Sequence, residues 1–180
     1  MKHGLFALLL LGALASATRA QNAPVTLEEL VRSAGTILTG RILDVREERH
    51  PRYPYLIVTR VTLAVERTFK GGTRASSGRF TFRQIGGLTR FRIFDLPGYQ
   101  VGEELVLFLY PESAYGLTSP VGGMAGKFRL FVDPQTNRRV IATRFDELGL
   151  PHGLTLHSER GPMEYETFAV RIAQMVGALR

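Results

Sequence analysis

The sequence predicts a mainly β protein: a small antiparallel, OB-like β-barrel with a short N-terminal helix and a C-terminal amphipathic helix. Three observations carry this. Apolar side chains keep to odd positions at Ile57, Val61, Leu63 and Val65, the period of two of a half-buried strand. Residues 105–110 (LVLFLY) are apolar on both faces, as in a central strand covered on both sides. Residues 127–132 and 138–145 flank Asp133-Pro134-Gln135-Thr136-Asn137, a turn-rich hairpin connection.

Taken in order, residues 1–20 read as an export signal. Lys2 is followed by an apolar run over residues 5–14, half of the roughly 20 residues a membrane-spanning helix needs. Small residues at Thr18-Arg19-Ala20 or Ala15-Ser16-Ala17 end it. Cleavage is expected after Ala20, with Ala17 the rival site, leaving a single domain over residues 21–180. The product would be periplasmic or secreted. The chain has no cysteine, which excludes disulfides and a lipidated N-terminal cysteine and leaves packing to hold the fold.

Thr26-Leu27-Glu28-Glu29 fits a capping box, and Leu27, Leu30, Val31 and Ala34 share a face, so a helix of two or three turns is expected before Gly35. A β-branched and aliphatic run over 36–47 predicts the first strand. The alternating segment 53–69 exceeds the usual 3–10 residues of a strand, which predicts a bend or bulge. Residues 78–85 form a further strand with Phe80 and Phe82 on one face. Over 162–179, Pro162 suits a helix start, and Phe168, Ile172, Met175 or Val176, and Leu179 recur at helical spacing.

Charge is uneven. Residues 41–92 hold 12 arginines and lysines against four acids, whereas residues 93–180 hold eight against ten. A basic half can attract anionic polymers, and Arg60, Arg79 and Arg83 are the candidate face for extracellular nucleic acid or acidic glycan. The arginine bias (20 of 23 cations) equally fits a coding preference.

Catalytic motifs fail on their spacing. Residues 121–128 (VGGMAGKF) lack the first glycine and the Ser/Thr of a phosphate-binding loop. No serine sits in a nucleophile elbow. The acid pairs at 28–29, 47–48, 103–104 and 146–147 are adjacent in sequence, so their side chains diverge in a strand. His152 and His157, with Glu159 near, would need a third ligand for zinc. No cofactor or metal is expected, and a metal-dependent enzyme is the least supported alternative.

The strongest candidate is the connection 86–100 (GGLTRFRIFDLPGYQ), long for a compact β domain and rich in the arginine and aromatic residues of binding hot spots. Arg90, Arg92, Phe94 and Tyr99 are its candidate binding residues, with Arg52 and Tyr53 of a second tip, HPRYPY. The competing expectation is that Phe91, Ile93, Phe94 and Leu96 fold back to plug one end of the barrel. The partner expected is a protein or an envelope polymer, held by a non-catalytic binding or inhibitory module.

Four stretches in order, LEELVRSAGTILTGRILDV, VTLAVERTFKGG, VGEELVLFL and GKFRLF, give a layout that resembles a group of exported bacterial proteins of unassigned activity. It is also similar to the netrin-like modules of tissue inhibitors of metalloproteinases, which are five-stranded OB-type barrels. The likeness spans about residues 27–132 and implies the fold. Those inhibitors chelate protease zinc with an N-terminal cysteine, which this chain lacks, so the likeness implies no inhibitory residue here.

Overall fold

The computed structural model describes residues 25–71, 78–89, 91–143 and 163–179. The expected export segment, Arg90 and the His152–His157 pair lie outside them. Within them the chain runs α1 (Leu27–Ser33), β1 (Thr36–Arg49), β2 (Ile57–Lys70), β3 (Arg79–Ile85), β4 (Glu104–Leu109), a 3-10 turn (Gly123–Gly126), β5 (Lys127–Val132), β6 (Arg139–Thr143), β7 (Met163–Glu164) and α2 (Tyr165–Ala178). The strands form one antiparallel sheet in the order β3-β2-β1-β4-β5-β6-β7.

The mainly β expectation holds, as do its two helices. The Thr26 hydroxyl accepts from Glu29 N at 3.1 Å, the N-cap half of the expected box. At the other end of α1, Lys70 Nζ donates to the carbonyls of Val31 and Arg32, which the helix itself cannot satisfy.

The sheet separates two apolar clusters. Leu30, Ile37, Val106, Phe108 and Phe128 pack under both helices with Tyr165, Phe168 and Ile172. Leu38, Ile42, Val61, Leu63, Phe80, Phe82, Leu105, Leu107 and Leu109 meet on the opposite face. β4 supplies both clusters, alternating residue by residue from Leu105 to Leu109, which is why that run is apolar throughout.

That second face is concave. In a flat sheet β3 and β4 would stand about 14 Å apart, three strand spacings. Yet Thr118 N donates to Arg83 O of β3, and the next residue, Ser119, accepts from Tyr110 N just past β4. A segment so short reaches both only if the sheet curls. The strand ladder itself ends at β3 on one side and β7 on the other, so among the described strands no continuous pairing closes it into a barrel.

The expected bulge is in β2, where Phe69 and Glu66 are extra residues against β1, and β1 carries a further one of its own. Ile42 pairs with Leu63 and Asp44 with Thr62, so Leu43 is an extra residue. Because side chains alternate, the insertion exchanges faces: Ile42 and then Val45 pack on the concave cluster, while Asp44 and Glu48 turn outward. Glu47, two residues beyond Val45, comes to the concave side.

Two element boundaries differ from expectation. Residues 53–56 form a turn before β2, because Pro54 cannot donate to a ladder and His50 Nδ1 accepts from Arg52 N and Tyr53 N at 3.2 and 3.1 Å. The last helix begins at Tyr165, not 162, because Met163 and Glu164 pair with Ile141 and Val140 of β6. Its stripe is Phe168, Ile172 and Val176, whereas Leu179 is exposed. No described helix is long and apolar enough to cross a membrane.

Candidate functional site

The connection from β3 to β4 starts at Gly86-Gly87 and is fastened by side chains that the curl brings to one end of the concave face. Glu47 Oε2 accepts from Leu88 N at 2.8 Å and from Thr89 N at 3.3 Å. A Cβ on Gly87 would stand 2.5 Å from that oxygen, so only glycine lets the carboxylate in. The Thr59 hydroxyl donates to Gly86 O at 2.8 Å.

The returning limb is fastened more deeply. Gln84 is buried at the end of the Phe80–Phe82 face, where its Nε2 donates to Pro97 O at 3.2 Å and its Oε1 accepts from the Tyr99 hydroxyl at 3.1 Å. Since Pro97 O can only accept, the amide orientation is determined. Lys127 Nζ donates to Gly98 O at 2.8 Å, pairs with Glu103 at 2.6 Å and lies 5.0 Å from the centre of the Tyr99 ring. Burial, then the nearby Glu103 charge, pushes the Tyr99 phenol well above its ordinary range. Asp95 O packs against Gly123, whose φ of 61° and lack of a side chain permit the approach.

Between these fastenings the tip points outward. Phe94 is 96% exposed and Phe91 64%, with Ile93 and Arg92 also exposed. The plug expectation is therefore corrected for Phe91 and Phe94, while Leu96 is half-buried; from this loop it is Tyr99 that packs on the concave cluster. Tyr99 is the reverse case. Expected among the displayed residues, it is only 7% exposed, and its ring meets Phe82 at 5.6 Å.

The second tip carries an aromatic group. Tyr53 stacks on buried His50 at 5.2 Å and meets Tyr55 at 6.1 Å and Tyr115 at 5.0 Å. Tyr55 is 73% exposed, and Arg52 is exposed beside it. Tyr115, from the β4–β5 connection, escaped sequence reasoning because nothing local ties it to Tyr53.

A cleft of about 660 Å³ opens beside the first tip, between the end of β3 and the start of β5. Arg92, Gln84, Tyr99, Lys127, Arg129 and Met124 are among the residues around it. Gln84 and Lys127 were not singled out from sequence. For Gln84 a signal exists, a polar residue continuing an apolar strand face. For Lys127 none does, because its partners lie 24 and 29 residues away in the chain.

The candidate polyanion face is differently built. Arg60 pairs with Asp44 at 3.4 Å and Glu48 at 3.2 Å, Arg83 pairs with Glu48 at 2.9 Å, and Arg46 with Asp44 at 2.9 Å. The Leu43 bulge turned those acids outward, so this surface mixes both signs. Arg79 is exposed at the start of β3. Among the described residues no three His, Asp or Glu side chains gather as a metal site. Compared with protein-family models and with curated proteins, the chain matches none.

Proposed function

We propose that this protein is an exported, non-catalytic binding module that grips a protein partner with the tip of residues 91–94, aided by the Tyr53–Tyr55–Tyr115 group. The observation that carries this is Phe94, 96% exposed on a loop whose outgoing limb is held by Thr59 and Glu47 and whose returning limb is held by Gln84 and Lys127. A ring held out in water contributes nothing to folding, whereas aromatic and arginine side chains dominate binding energy at interfaces. Fastened limbs also reduce the ordering cost of association. The curled antiparallel sheet is in keeping with the OB-like, netrin-like layout that the sequence resembles, and that likeness remains part of the proposal.

Capture from cell-envelope and secreted fractions tests it, with the purified protein as bait against a Phe91→Ser/Phe94→Ser variant. The captured partner should fall at least about tenfold, the effect of losing a hot spot, while the melting temperature stays put. Equal capture by both baits would refute the tip assignment. The polyanion alternative has less in its favour, since Arg60 and Arg83 are already engaged by carboxylates.

A further inference from the structure

The cleft beside the tip has a chemistry that protein capture by Phe91 and Phe94 does not use. Its volume, about 660 Å³, lies within the roughly 300–1,000 Å³ of small-ligand sites. Among its described lining residues, Arg92, Lys127 and Arg129 are the cations and Glu103 is the single acid. Glu103 is committed to Lys127 at 2.6 Å, so those two charges cancel. Arg92 has no acid paired with it among the described residues. The Arg129 guanidinium lies 5.0 Å from the Phe131 ring centre. Glu47, outside the lining, is engaged by the Leu88 and Thr89 amides.

Gln84 adds a directional donor. Its carbonyl is taken by Tyr99 and one amide hydrogen by Pro97 O, which leaves the second amide hydrogen uncommitted on a residue that lines the cleft. The rest of the wall includes Ile85, Leu88, Ile93, Leu96 and Met124. A ligand suited to these groups has an oxyanion head, to accept from Arg92 and Gln84, and an apolar body to lie along the aliphatic wall. Neutral and cationic amphiphiles would leave Arg92 without a counter-charge.

We infer that this cleft binds a small anionic amphiphile, a carboxylate or phosphate head on an aliphatic body. The cleft shares Arg92 and Ile93 with the partner-binding tip, but Phe91 and Phe94, the rings on which capture rests, are not part of its described lining.

Methionine methyl groups supply the test. Met124 lines the cleft, whereas Met163 and Met175 pack on the helix-side cluster. The purified protein, carrying 13C-methyl methionine, is titrated with decanoate, decyl phosphate, decanol and decyltrimethylammonium. The Met124 signal should move and saturate with an anionic ligand while Met163 and Met175 stay fixed. Decanoate and decyl phosphate acting alike means the oxyanion charge decides. One acting alone assigns the head group.

Arg92→Ala should weaken binding about ten- to hundredfold, the range for a hydrogen bond to a charged group. Arg92→Lys should restore most of it, which a purely steric role would not do. Phe94→Ala should leave the titration unchanged, so loss of partner capture and loss of ligand binding remain separable. A silent Met124 signal, equal response to decanol, or response at Met175 in its place would each overturn the assignment.

Discussion

Replacing Lys127 with methionine tests how the loop is held. The ammonium donates to Gly98 O and to both oxygens of Glu103, and each side chain of the pair is only 14% exposed. Methionine keeps the volume and removes every donor. Glu103 would then be a largely buried carboxylate without a counter-charge, a change that costs about 3–5 kcal/mol in fully buried pairs. With some water reaching the pair, about 3 kcal/mol is expected here. At about 2–4 °C per kcal/mol for a domain of this size, Lys127→Met should lower the melting temperature by roughly 6–12 °C. The Lys127→Met/Glu103→Leu double variant removes the orphaned charge together with its partner. It should recover most of the loss and retain a deficit of about 1 kcal/mol from the bonds to Gly98 O and Gln100 N. Urea and thermal unfolding of the four proteins complete the cycle. A single variant costing under about 1 kcal/mol, the range of a solvated surface pair, would refute the claim that this pair fastens the loop.

The remaining predictions concern other fastenings and the charges around them. Gly87→Ala should cost up to about 1 kcal/mol, since its Cβ would move the exposed Glu47 carboxylate off the Leu88 and Thr89 amides, and hydrogen exchange should speed up at the Leu88 amide. Tyr99→Phe should cost about 1–3 kcal/mol by leaving Gln84 Oε1 buried without a donor, read from denaturant unfolding. The raised Tyr99 pKa means that its contribution is fully present below the ordinary value of 10.0 and is lost as pH rises through the folded value, so phenolate absorbance from Tyr99 should appear only with unfolding. The hydrogen bond from Arg139 holds the Glu66 carboxyl below its ordinary 4.5, the opposite sign. Glu66→Gln should therefore cost up to about 1 kcal/mol at neutral pH, given the pair's exposure, with the gap to wild type closing as pH falls below 4.5 through the folded value.

What could be read in advance was what repeats at short range. The odd-position alternation of β2, the two-sided apolarity of β4 and the Thr26 cap each depend on residues a few positions apart, and each is in the structure. The β2 bulges at Glu66 and Phe69 were legible as excess length in that strand, whereas the β1 bulge was not. Leu43 is one more aliphatic residue in an aliphatic run, and only pairing with Leu63 and Thr62 reveals that it is extra. That one insertion decides which side Glu47 and Glu48 occupy. The sequence read as an adjacent acid pair with diverging side chains, and they do diverge: Glu47 fastens the loop while Glu48 neutralises Arg60 and Arg83. The basic half seen in composition becomes a mixed surface for this reason.

The same loop was recognised by its length and composition, but which of its residues face water was not decided by their type. Phe94 and Tyr99 are both aromatic and five positions apart, yet one is exposed and the other buried. The difference lies in what the returning limb meets. Residues 97–99 run past Gln84 and Lys127, whose donors need acceptors inside the fold, and Pro97 O, Gly98 O and the Tyr99 ring fill those places. Among the described residues, no side chain donates to residues 91–94, whose carbonyls accept only from the backbone, Phe91 O from Gly87 N and Ile93 O from Leu96 N. A short turn from β3 to β4 would have left Gln84 and Lys127 as costly unpaired groups, and a loop without them would collapse its rings onto the nearest apolar surface. The polar pair at the base is therefore what keeps the aromatic tip out, and loosening the base should weaken partner capture even with every tip residue intact. Lys127→Met, already expected to lower stability, should thus reduce capture well below the melting temperature. Full capture by that folded variant would separate display from anchoring.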